Sequence, residues 1–175
     1  MEISIRNMEP KDIPIIATIY VSSMRATHKG VVSHEFLQSL SYEQPLERLE
    51  GIFNKTDRRP FGRVAEYKGT IVGFAIGSFA VNPPPGYQGE LKMLYVSSGK
   101  RRNGIGGALF RSVTSHFVQN NMYSMLLGVI KDNLAARKFY ESLVGVIFNE
   151  HPDVINGETV RICTYGWASI LSLTQ

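Results

Sequence analysis

The sequence predicts one α/β domain over residues 1–175, built on a mixed, mostly antiparallel sheet of six to seven strands with a central parallel βαβ unit and helices on both faces. Three observations lead there. Apolar residues near the start recur at helical spacing, and the middle reads as strands separated by turn residues. The third is the unit strand 90–96, helix 104–120, strand 124–129, because a helical crossover forces its two strands to lie parallel in one sheet.

Residues 3–7 alternate and predict an edge strand. Pro10 suits a helix start, where its missing N–H would be unpaired anyway, and Ile13, Ile16, Ala17, Tyr20 and Met24 extend an amphipathic helix to about residue 26. Lys29-Gly30 breaks it. A second helical stretch over 33–53, interrupted near Pro45, carries Glu35, Glu43, Glu47 and Glu50. Strands 62–67 and 70–80 flank the two-residue Lys68-Gly69 turn of a hairpin. The run Asn82-Pro83-Pro84-Pro85-Gly86 must be a loop. In helix 104–120, Ile105, Leu109, Val113 and Phe117 stack four apart on one face. Strand 124–129 precedes a helix over 133–143, capped by Asp132 or Asn133. Strands 145–150 and 160–167 close the order β-α-α-β-β-β-α-β-α-β-β.

With 175 residues, 43% hydrophobic and 19% charged, the chain can bury a core and a ligand cleft. No apolar run nears the roughly 18 residues of a membrane span. Met1-Glu2-Ile3-Ser4-Ile5-Arg6 alternates like a strand and lacks the basic and apolar regions of a secretory signal. The single cysteine, Cys163, fits a reducing compartment and the role of a small core residue. His28, His34, His116 and His151 are scattered without zinc-ligand spacing. The expectation is a cytoplasmic protein with no metal and no membrane partner. A formal charge of +4 favours an anionic partner. Nucleic acid is not expected, because no recognition motif accompanies the charge and the densest basic cluster is only Lys100-Arg101-Arg102.

That cluster opens a strand-to-helix turn, Tyr95-Val96-Ser97-Ser98-Gly99-Lys100-Arg101-Arg102-Asn103-Gly104-Ile105-Gly106-Gly107. First-turn N–H groups of a helix lack helical acceptors and carry the positive end of its dipole. Glycines there let a phosphate reach the backbone, and the two arginines add charge at the same mouth. A dinucleotide fingerprint fails because Leu109 stands where the third glycine belongs, and a Walker loop fails because Ile105-Gly106 follows Gly104 instead of Lys-Ser/Thr.

The pattern R-x-x-G-x-G at Arg101, Gly104 and Gly106, after a strand ending Tyr95-Val96, resembles the acetyl-CoA pyrophosphate turn of the GNAT superfamily of N-acetyltransferases. Asn133, Ala136, Phe139 and Tyr140 also match that superfamily's N-x-x-A-x-x-F-Y segment. The resemblance spans about residues 3–165, with its specific motifs in 90–141. It departs modestly: Arg102-Asn103 replaces a common Gly-Lys or Gly-Gln, and Ser98 a frequent proline.

The resemblance implies acetyl-CoA as acetyl donor, with no metal, and direct transfer to a primary amine in a ternary complex. It implies a donor site formed by Leu94, Tyr95, Val96, Arg101, Arg102, Asn103, Gly104, Ile105, Gly106 and Gly107, with Asn133, Ala136 and Tyr140 along the pantetheine arm. Leu94 and Val96 would act through backbone groups where the strand splays from its parallel neighbour. Tyr140 would protonate the departing thiolate, and Phe139 is core. Glu90, at the start of strand 90–96, would be the general base, directly or through water; an alkyl amine arrives as ammonium and must lose a proton before it attacks. His28 and His34 are alternatives for that base or ordinary surface residues.

The resemblance implies a small amine or a lysine-containing molecule as acceptor. Glu35, Glu43, Glu47 and Glu50 either draw a cationic one or form a solvated helix face, and the Pro83-Pro84-Pro85 loop is a candidate border of its channel. Homodimers are common in the superfamily. The competing reading is a catalytically silent acyl-CoA-binding regulatory module, which would keep the turn without needing Glu90 or Tyr140.

Overall fold

An edge strand β1 (Ser4–Asn7) passes through a 3-10 turn (Pro10–Asp12) into helix α1 (Ile13–Thr27). Helices α2 (His34–Ser39) and α3 (Glu43–Phe53) follow, then strands β2 (Phe61–Tyr67), β3 (Thr70–Phe79) and β4 (Gly89–Val96). The crossover helix α4 (Ile105–Gln119) leads to β5 (Met125–Ile130), and α5 (Leu134–Ser142) to the closing hairpin of β6 (Val146–Ile155) and β7 (Glu158–Trp167). The computed structural model describes residues 2–27, 32–54, 57, 59–155 and 158–174. Its strands form one seven-stranded sheet in the order β1-β2-β3-β4-β5-β7-β6, antiparallel except for β4 beside β5.

The expected elements form, with two shifts that have local causes. The second helical stretch breaks at residues 40–42 and not at Pro45, which stands third in α3. In a first turn the missing proline N–H costs no helical bond. The closing strands are longer than the alternation suggested, because β6 runs on through Pro152. It can do so as an edge strand: Arg161, opposite Pro152, offers its C=O to the N–H of Lys131 on the β5 side. That pairing turns the proline nitrogen away from β7, where no ladder bond is lost. The Lys68-Gly69 turn is confirmed, with φ of +50° and +74° as a type I′ hairpin requires.

Helices cover both faces. Below α4, Ile105, Leu109, Val113 and Phe117 are at most 1% exposed and pack on Ala75, Leu91, Met125 and Leu127. On the other face Ile16, Tyr20 and Met24 of α1 and Leu49 of α3 pack on Val64, Phe74, Ile76 and Met93. β3 supplies both clusters by strand alternation. Phe117 presses so closely on the start of β4 that a Cβ on Gly89 would lie 2.9 Å from its ring.

The parallel junction is brief. Only Gly89↔Met125 and Glu90↔Leu126 pair, after which β4 and β5 part. Along β4's other edge, Ile76 pairs with Met93 and Gly77 with Leu91, so Lys92 is the extra residue of a β-bulge that bends the strand as it leaves β5.

The first helical turn is tied to the sheet by charge. Arg6 of β1 forks onto buried Asp12 at 2.7 and 3.0 Å and also donates to Glu66 of β2 at 2.9 Å. Asp12 additionally accepts the Glu9 N–H at 2.8 Å. The Arg6 hydrogen bonds hold the Asp12 carboxyl below its ordinary pKa. That stabilisation is full above the unfolded value of about 3.9 and is lost as pH falls through the lower folded value. Asp12→Asn is therefore expected to cost roughly 1–3 kcal/mol in chemical denaturation at pH 7. The gap from wild type should close as the pH drops below about 4.

Candidate active site

The glycine turn is built as the sequence suggested, and the structure assigns its parts. After β4, Ser98–Lys100 make one 3-10 turn, Arg102 takes φ +61° and Gly104 caps α4 at φ +76°. That left-handed cap favours glycine at 104. Space is tight at Gly106, where a Cβ would sit 3.3 Å from the Phe139 ring. Ala108 makes the first helical bond, to Gly104 at 3.0 Å, and the N–H groups of Ile105, Gly106 and Gly107 meet no acceptor among the described residues. Asn103 shapes the turn by donating to the carbonyls of Lys100 and Arg101 at 3.1 and 3.0 Å. Arg101 reaches back to the Val96 carbonyl at 3.3 Å, and Lys100 lies 4.4 Å over the Tyr67 ring.

Between the parted strands lies a cavity of about 210 Å³ lined by Leu91, Leu94, Tyr95, Leu127, Asn133, Ala136 and Tyr140, among others. Ser97 gives its N–H to Val72 on β3, whereas the Val96 carbonyl faces the opposite side and accepts from Ser23 and Arg101. By strand alternation Leu94 presents its N–H and C=O to the same gap, where β5 has moved away. The Val96 carbonyl is thus already engaged, and Leu94 carries the open backbone groups.

Helix α5 brings its residues in from the far wall. Asn133 is the cap, accepting the Ala136 N–H on Oδ1 at 3.1 Å, which leaves its amide nitrogen without a partner among the described residues. The helix is held to β7 by Tyr165, which donates to Glu141 at 2.7 Å and accepts from Arg137 at 3.2 Å, and by Trp167, which donates to the Leu143 carbonyl at 2.7 Å. Tyr140 is wedged among Phe110, Phe139, Tyr165 and Trp167 and is only 7% exposed. Its hydroxyl has no hydrogen-bond partner among the described residues, and burial raises its pKa far above the ordinary phenol value. At neutral pH it is an undissociated donor facing the cavity.

Glu90 stands elsewhere. It lines an adjoining cavity of about 410 Å³ with Arg48, Gly51, Ile52, Pro60, Ser78, Lys92 and Met93. Its Oε2 accepts from the Lys92 ammonium at 2.7 Å. Glu90 and Tyr140 therefore do not share one cavity; Arg48, Lys92 and Met93 line both and form the boundary between them.

The sequence did not single out Arg48 or Lys92 as site residues. Lys92 was legible, because residues two apart on a strand share a face. Arg48 had no local signal, since only the packing of α3 on the sheet brings it in. Other candidates fall away from both cavities. Glu35, Glu43, Glu47 and Glu50 are exposed and line neither. His34 bonds Gln38 at 2.8 Å on exposed α2, and His28 lies outside the described residues. The Pro83–85 stretch lines neither cavity; its loop turns instead through Tyr87, which stacks on Phe148 at 4.9 Å. Cys163 is fully buried in β7. Among the described residues no group of three or more His, Cys, Asp or Glu could hold a metal ion, and no helix is long and apolar enough to cross a membrane.

Comparison with known proteins places the fold and the family. The chain is 27% identical to the uncharacterized N-acetyltransferase YuaI of Bacillus subtilis (strain 168), over 98% of its own length and 96% of that protein. Among solved structures, the PaiA N-acetyltransferase of Thermoplasma acidophilum in complex with coenzyme A superposes with a TM-score of 0.75 at 19% identity, covering 95% of this chain and 100% of that one. The putative acetyltransferase yncA of Salmonella typhimurium, with its cofactor acetyl-CoA, gives a TM-score of 0.66 at 18% identity, covering 94% and 92%. At these identities the structures show a shared fold. The model of the acetyltransferase (GNAT) family matches residues 20–146, from α1 to the start of β6, and this chain belongs to that family of acyltransferases.

Proposed function

We propose that this protein is an N-acetyltransferase that moves the acetyl group of acetyl-CoA to a primary amine by direct attack in a ternary complex. The observation that carries the reading is the gap between β4 and β5. Leu94, Tyr95 and the largely buried Tyr140 line it, the Tyr140 hydroxyl meets no partner among the described residues, and β4 runs on from it into the Gly104–Gly107 turn. An elongated molecule with phosphates at one end and a reacting group at the other fits that arrangement. The structures of PaiA with coenzyme A and yncA with acetyl-CoA support the donor's identity.

Acetyl-CoA supplies an activated acetyl thioester. Ile105, Gly106 and Gly107 would receive its phosphates on their backbone N–H groups, with Arg101 and Arg102 adding charge. Leu94, Tyr95, Asn133 and Ala136 would line the arm, and the Leu94 N–H would polarise the carbonyl. Glu90 takes a proton from the incoming ammonium, directly or through water, and Tyr140 gives its own to the departing sulfur. One N–C bond forms and one C–S bond breaks. Of the two protons leaving nitrogen, one balances the proton given to sulfur and the other goes to solvent. Cys163, buried in β7 away from both cavities, supplies no covalent relay.

Acetyl-CoA is expected to raise the melting temperature of the wild type, and thiol release against an amine panel measures turnover. Tyr140→Phe and Glu90→Gln should each lower kcat by about 10²-fold or more while CoA still binds. Wild-type binding with no turnover on any amine would instead mark a silent acyl-CoA-binding module, and no CoA binding would overturn the proposal.

The turn is tested separately. Valine at position 104 would have to occupy φ +76°, at a cost of roughly 1–2 kcal/mol. Gly104→Val should weaken CoA binding about tenfold or more by calorimetry.

A further inference from the structure

The charge in the larger cavity points to the chemistry of the acceptor. Its ionisable walls are Glu90, Lys92 and Arg48. Glu90 and Lys92 satisfy each other at 2.7 Å. Arg48 donates to the Tyr20 hydroxyl at 3.2 Å, and among the described residues no carboxylate pairs with it. Tyr20 is itself 8% exposed and set edge-on against Tyr95, so Arg48 is steadied from below by a buried neutral group. The cavity thus presents a guanidinium without a counter-ion beside a carboxylate that already has one.

We propose that the acceptor amine also carries a carboxylate, as an amino acid does, and that Arg48 receives it; this rests on the acetyl transfer proposed above. A guanidinium offers parallel N–H donors that match the two oxygens of a carboxylate. Arg48 lines both cavities, so a carboxylate docked there holds the attached ammonium between Glu90 and Tyr140. A polyamine would instead set a second cation against Arg48 and Lys92. The acidic helix residues that would have favoured one stand outside both cavities. A volume of about 410 Å³ suits an amino acid, and Ile52, Pro60 and Met93 give its side chain an apolar wall.

The test is thiol release by the wild type with the twenty L-amino acids, the corresponding amino acid amides and spermidine. The acid should exceed its own amide in kcat/KM by about 10- to 100-fold for the best substrate, and spermidine should be poor. The amide carries the less basic amine, so deprotonation would favour it. Arg48→Met should erase the difference between acid and amide, and Arg48→Lys should restore part of it. Equal use of acid and amide, preference for spermidine, or discrimination that survives in Arg48→Met overturns the proposal while leaving acetyl transfer intact. If nothing is turned over, calorimetry of the same acids and amides on the CoA-bound protein decides: binding of acids alone supports the carboxylate site, and binding of neither refutes it.

Discussion

Two residue pairs join β4 to β5, and the proposed donor site depends on their being only two. A longer ladder would close the sheet, pair the Leu94 backbone with β5 and leave no gap for a ligand. No junction at all would free α4 to drift from the strand it caps. Gly89 sets the upper limit on distance, because its missing side chain lets Phe117 of α4 sit directly on the start of the strand. The Lys92 bulge then turns the rest of β4 aside. The order of parts along the chain converts that divergence into a site: the same strand that opens the gap runs on into the helix N-terminus at its far end.

Opposite walls of the gap are stabilised differently. The α5 wall is held by aromatic packing around Tyr140 and by a partly buried hydrogen-bond chain through Arg137, Tyr165 and Glu141. The α3 wall is polar and half-exposed, with charges that pair across the bulge. In the proposed mechanism, proton donation falls to the largely buried Tyr140, whereas proton removal and acceptor entry fall to the more open Glu90 side. For transfer to an amine that must lose a proton to solvent, this division is chemically apt.

How much of this was legible in the sequence follows from how local each cause is. The Gly104–Gly107 turn, the Ile105–Phe117 stripe, the Lys68-Gly69 hairpin and the Asn133 cap each depend on residues within one or two turns of chain, and all appear where the residues placed them. The break before α3 was misplaced because proline was treated as a breaker, although a first turn accepts it. The extent of β6 was hidden because Pro152 is tolerable only on an edge, and edge position is a property of the whole sheet. The division of Glu90 from Tyr140 into two cavities was equally non-local, since it arises from the bulge and from α3 arriving over β4.

Pro152 has a second consequence. A strand at the rim of a sheet exposes backbone groups that invite another chain to pair, and apolar side chains increase the hazard. β6 carries exposed Val146, Phe148 and Val154. Along that rim, however, one donor is missing at Pro152 and the register is broken at Phe148, where Ile147 and Asn149 pair with consecutive residues of β7. The opposite rim, β1, is only four residues long. Both margins of the sheet therefore make poor templates for strand addition, so the fold resists growing into sheet-extended aggregates.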